Sequence, residues 1–118
     1  MSYTNNLGKW GEELALSYLS AKGHQLSSQN YRYKHAEIDL ITVINKTLVF
    51  TEVKTRSGTG FGKPESFVDY GKVKLIMKAA ENYIFQIDWR FDIRFDIISI
   101  LKLPDDTHQI HHIEDAFY

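Results

Sequence analysis

The chain has 118 residues, a formal charge of −1 and no cysteine. That length suits one compact domain over residues 1–118, and the lack of thiols excludes a disulfide scaffold or a cysteine-ligated metal and fits a reducing compartment. Near-neutral charge leaves any nucleic-acid binding to a local basic surface, and no apolar run nears the ~20 residues of a membrane span, so a soluble, cytoplasmic protein without a signal peptide or membrane contact is expected.

Asn5 or Asn6 can cap a helix that runs to about Lys22 and stops at Gly23. Leu7, Trp10, Leu14, Tyr18 and Ala21 follow helical spacing and should face inward. HQLSSQNYRY, AEIDLITVI and TLVFTEVKTR then read as three strands of an antiparallel meander. SGTGFGKP, residues 57–64, is a glycine-rich loop, and residues 69–87 form a second helix with Val73, Ile76, Ala80, Ile84 and Ile87 inward. FDIRFDIISILKL is a long strand, LPDDT a turn, and HQIHHIEDAF a last, edge strand with its histidines on the surface. The order αβββαβ, with one further β, predicts a mixed α/β domain, a small sheet flanked by helices, with a parallel pair joined through the second helix.

Strands two and three meet at INKT. A turn centred on Asn45 and Lys46 opposes residues whose numbers sum to 91, so Asp39 faces Glu52 and Glu37 faces Lys54. Opposed side chains lie roughly 4.5–5.5 Å apart, and like charges there destabilise a sheet. Two such carboxylates need a cation between them or a shared proton, and a hard divalent cation suits an all-oxygen site. Lys54, two residues beyond Glu52 on the same face, would stand beside that cation. The alternative is a partly exposed charge cluster on a polar sheet face.

Glu12 has Ala15, Leu16 and Leu19 on its side of the helix, whereas Glu13 has Lys9, Ser17 and Ser20, so Glu12 is the carboxylate held against the domain. It is either a third acidic group at the site or a residue at the rim of the packed face. Gly8 and Gly11, one turn apart, suggest a close backbone approach, most simply to the sheet. Lys54, Arg56, Lys63, Lys72, Lys74 and Lys78 follow the carboxylates within one stretch and suit contacts to a phosphate backbone. Arg94 and Asp96 lie near the site or form a charged pair on a strand edge.

AEIDLI followed by VFTEVKTR resembles the core of the Pro-Asp…(Asp/Glu)-x-Lys nuclease superfamily, which has the restriction-endonuclease-like fold. More closely, the chain resembles the YraN-like family of small bacterial proteins, predicted endonucleases, through GKWGEELALSYLSAKGHQL, QNYR, EIDLI, VFTEVKTRS, FGKP, the helix with Lys72, and RFDIISI. The resemblance implies Asp39 and Glu52 as metal ligands and Lys54 as the catalytic lysine. It likens Glu12 to the N-terminal helical Glu of archaeal Holliday-junction resolvases and makes Glu37 and Lys72 supporting residues. Ala36 stands where the family usually has Gly, and Ile38, not Pro, precedes Asp39. The expectation is a Mg²⁺- or Mn²⁺-dependent endonuclease cutting DNA phosphodiesters at branched or junction DNA, with Arg56, Lys63, Lys72 and Lys74 on the phosphates, acting as a homodimer like the similar resolvases. A non-catalytic nucleic-acid-binding or assembly module on the same fold is the alternative.

Overall fold

A computed structural model of the chain describes residues 3–58 and 69–117. Helix α1 (Tyr3–Ala21) is followed by β1 (Gln25–Tyr33), β2 (Ala36–Ile44) and β3 (Thr47–Ser57), then α2 (Tyr70–Ile87), β4 (Asp92–Lys102) and β5 (His108–Ile113). The strands form one sheet in the order β1-β2-β3-β4-β5. β1, β2 and β3 are antiparallel, β3 and β4 are parallel across the α2 connection, and β5 returns antiparallel to β4. This is the expected mixed α/β architecture with its extra edge strand. Among the described residues no helix is long and apolar enough to cross a membrane.

Each helix covers its own half of the core. Ile41, Leu48, Phe50 and Phe95 pack with Ile76, Ala79, Ala80 and Tyr83 of α2. Leu40, Ile98 and Ile100 pack with Ala15 and Leu19 of α1. The two sets alternate along the strands, as side chains of a pleated sheet must. Tyr83 also meets Ser27 of β1 at 2.5 Å, and Tyr31 accepts from Asn82 at 2.5 Å, which fixes α2 over the antiparallel side.

Most residues expected to face inward do so: Trp10, Leu14 and Tyr18 of α1 and Ile76, Ala80 and Ile84 of α2 pack into the core. Ala15 and Leu19 are fully buried in α1, while Ala21 is exposed. In α2, Ala79 and Tyr83 share the core with Ile76 and Ala80, and Ile87 is exposed. The two expected inward residues that are exposed, Ala21 and Ile87, are the last residues of their helices. Helix α1 also runs through Asn5 and Asn6, because an interior Asn costs too little to stop a helix. Its end is as expected: Gly23, at φ 100°, lets its own N–H and those of Lys22 and His24 close on the last turn.

The two helical glycines separate cleanly. A methyl group on Gly11 would lie 1.9 Å from Thr55 Oγ1 and 2.9 Å from Thr55 Cβ, whereas one on Gly8 meets nothing within 4 Å. Gly11 therefore lets α1 sit close on β3, which brings the next residue, Glu12, against the sheet. Gly11→Ala should destabilise the fold by about 1–3 kcal/mol through this clash. Gly8→Ala should be neutral or stabilising by up to about 1 kcal/mol. Urea unfolding of the two variants checks the contrast, and equal effects would remove the close-approach account.

Candidate functional site

The site begins with a turn. Asn45, at φ 53°, adopts the left-handed conformation that Asn tolerates, and it closes β2 onto β3 with a two-residue connection. The ladder runs from Ile44↔Thr47 to Leu40↔Thr51, so opposed numbers sum to 91. It stops there, and the next residues on the two strands are Asp39 and Glu52. Asp39 does not continue the ladder. Its Oδ2 accepts a hydrogen bond from the Val53 N–H at 2.7 Å, a side chain taking the place of a backbone carbonyl. Ile38 and Ile41 both join the core under α2 although three positions separate them, so the alternation of β2 breaks around Asp39 and Leu40. A carboxylate is thereby set into the gap where two strands part.

Glu52 follows Leu48 and Phe50 onto the α2 face and is only 9% exposed. Lys54 and Arg56 continue along that face and are half-buried. Lys72, in the first turn of α2, places its Nζ on Glu52 Oε1 as an ion pair. The turn is held by Asp69, whose Oδ1 accepts from the N–H groups of Gly71 and Lys72 at 2.9 and 3.3 Å. Lys54 stands close enough to Lys72 to act on it.

The electrostatics record a crowding of negative charge. Burial pushes the Asp39 carboxyl up, the Val53 amide opposes this, and the charges of Glu12, Glu52 and Glu37 add to it, leaving the group raised to about 7. Glu12 is raised too, by burial and by Glu37, against a hydrogen bond from the Asn30 side chain. Burial works to lower the Lys72 ammonium, but the Glu52 carboxylate more than offsets it and holds the group above its ordinary value. Glu52, Lys54 and Lys72 thus gather on the α2 side of the sheet, and Asp39 lies within electrostatic reach of Glu52, of Lys72 and of Glu12 from α1. Glu37 is engaged elsewhere, 2.9 Å from Arg32. Lys74 is exposed on α2. Lys63 and most of the loop at 57–64 lie outside the described residues.

Arg94 and Asp96 form a charged pair, one of the two readings the sequence left open, and the pair belongs to a larger buried network that the sequence did not show. Asp96 is fully buried on an interior strand, in register with Thr51 and on the α1 side of the sheet. Arg94 holds both its oxygens, Nε at 2.8 Å and an Nη at 2.9 Å, while His112 Nε2 lies 2.7 Å from Oδ2 and the Asp115 N–H donates at 3.1 Å. Tyr18 of α1 lies with its hydroxyl 3.3 Å from His112 Nδ1. Burial works to raise Asp96, but His112, Arg94 and the Asp115 amide outweigh it and hold the carboxyl below its usual range. Ligand-type atoms of Asp96, His112 and Glu114 fall within 4.8 Å of one another. Arg94 already lies against both carboxylates, at 3.4 Å from Glu114, so a guanidinium takes the place a metal would need. His112 is a correction to the surface histidines expected from HQIHH, its side chain being 4% exposed. The signal available was the one that marked Asp39, an acidic residue inside an apolar run, here FDII.

The profile of Uncharacterised protein family UPF0102 matches residues 11–100, a stretch holding Glu12, Asp39, Glu52, Lys54, Lys72 and Asp96. Proteins of that family from Flavobacterium psychrophilum and Christiangramia forsetii are 42% and 43% identical over 118 residues, covering all of this chain and 98% of each relative. One from Bacteroides thetaiotaomicron is 42% identical over 120 residues, covering all of this chain and 97% of its own length.

Proposed function

The chain belongs to uncharacterised protein family UPF0102, the YraN-like proteins, and from that premise we propose that it is a metal-dependent endonuclease acting on DNA. The observation that carries this reading is the Asp39 carboxylate set where the β2–β3 ladder opens, near enough to Glu12, Glu52 and Glu37 to feel their charge, with Lys54 next along the face from Glu52. The donor set is all oxygen, and burial, reinforced by the charges of Glu12, Glu52 and Glu37, raises the Asp39 carboxyl to about 7. Such a set fits a hard divalent cation. Asp39, Glu52 and Glu12, with the Val53 carbonyl, would hold Mg²⁺ or Mn²⁺. When bound, the ion would supply Lewis-acid polarisation of the phosphoryl group and acidify a water.

The protein's own groups do the rest. Asp39 must lose its proton before it can act as a ligand, so metal binding would release that proton below about pH 7 and metal affinity should rise with pH up to there. Lys54 offers a positive charge where negative charge builds in the transition state. Arg56, next along the face from Lys54, and the exposed Lys74 would supply phosphate contacts that position DNA without reading its sequence. Branched DNA is then recognised by shape.

Cleavage of supercoiled, flap and four-way DNA with Mn²⁺ or Mg²⁺ tests the proposal. The wild type should cut, and Lys54→Ala should lose at least about 100-fold in rate while keeping most of its binding. Binding without cutting by the wild type would favour the non-catalytic nucleic-acid module. No binding at low salt would end both readings.

A further inference from the structure

We propose that Lys72 is an internal counter-cation that competes with a divalent metal for Glu52, an inference that rests on the metal site proposed above. Its ammonium sits on Glu52 Oε1 and stands in for the positive charge of a bound ion. Helix α2 has no acidic residue in its first turn, and Lys72 lies in that turn. A cation there opposes the helix dipole. The position is unfavourable for α2 itself and is explained by what it faces, the carboxylate on β3.

The two buried carboxylates of the interior strands are neutralised in different ways. Asp96 is gripped by both donors of Arg94, whose planar fork matches the carboxylate, and by two further groups. Among the described residues Glu52 is met by one ammonium on a flexible stem, and the Lys72 side chain is 46% exposed. An arginine clamp of the first kind is fixed. A half-exposed lysine can turn into solvent without losing its own hydration, and the buried carboxylate it leaves then requires another cation. Glu52 is therefore compensated by a group that can leave, and its departure gives the oxygen to another cation. Metal affinity is set by this exchange as well as by the ligands themselves.

Calorimetric titration with Mn²⁺ and with Ca²⁺, in the absence of DNA, tests the exchange. Lys72→Met should bind the ion on the order of tenfold more tightly than the wild type, corresponding to loss of one competing ion pair. Lys72→Arg should restore the competition, and Lys74→Met, an exposed lysine on the same helix, should leave affinity unchanged. Thermal melts establish that each variant is folded; if Lys72→Met is not, Lys72→Gln replaces it, with the same expected direction. Equal or weaker binding by the neutral variant overturns the competition while leaving the metal site in place. If neither wild type nor variant binds either ion, the proposed metal-dependent function fails and the inference with it.

Discussion

Replacing Asp39 with Asn should stabilise the metal-free protein at pH 8 by up to about 4 kcal/mol, the cost of ionising a carboxyl raised from 3.8 to about 7. Asn is the neutral acid's nearest copy and keeps an oxygen for the Val53 N–H. The sign follows from proton counts. Between about pH 4 and 7 the folded protein keeps the Asp39 proton and the unfolded chain does not, so this residue makes stability fall as pH rises through that window. His24, pushed below its ordinary value by burial and by Arg94, works in the opposite sense near the top of the same range. The diagnostic is therefore the difference between wild type and variant, which should grow from near zero at pH 4 to its full size above pH 7. Urea unfolding in EDTA at several pH values measures it. Adding Mn²⁺ should reverse the order, because only the wild type gains a ligand bound by the folded state. A variant that unfolds at every pH would make Asp39 a structural partner of β3 and nothing more.

Asp96→Ala should cost about 3–5 kcal/mol, the usual penalty for leaving a buried charge without its partner. Arg94, His112 and the Asp115 amide all lose their acceptor at once. Here the pH dependence has the other sign. The folded carboxyl titrates below the unfolded value of 3.8, so its contribution is complete above that value and is lost as pH falls through the lower, folded one. Acid unfolding followed by circular dichroism should show the wild-type fall below about pH 4 largely missing from the variant. A variant as stable as the wild type at neutral pH would mean that the network is energetically idle.

What could be read from the sequence was whatever depended on near neighbours. INKT determines the turn, the turn determines the sum of 91, and the register observed from Leu40 to Ile44 follows from it. The parallel β3–β4 pair follows from a helix lying between two strands. Beyond that, local pattern gives out. That Asp39 leaves the ladder for the Val53 amide depends on where two strands separate, which no spacing encodes. His112 looks like a surface residue because its partners, Asp96 and Tyr18, belong to other elements and come together only in the folded sheet. Glu52's cation comes from the far side of the glycine-rich loop, and only tertiary structure shows which of several lysines reaches it. Ala79 is missing from the expected α2 face because an alanine carries little hydrophobic signal.

The two-residue connection at Asn45 and Lys46 also bears on the order of assembly. A hairpin with so short a link closes in roughly 1–10 μs, since almost no chain entropy is lost in the closure. Helix α2 has no such advantage. Its docking accompanies the β3–β4 pairing, which joins Thr47 to Asp92 across the whole intervening segment and is slow for that reason. On this ordering Asp39 and Glu52, the first residues past the end of the ladder, should come near one another before Lys72 arrives. Their repulsion is encountered on the ascent to the folding barrier as well as in the native state, so relieving it changes how fast the chain folds along with how firmly it stays folded.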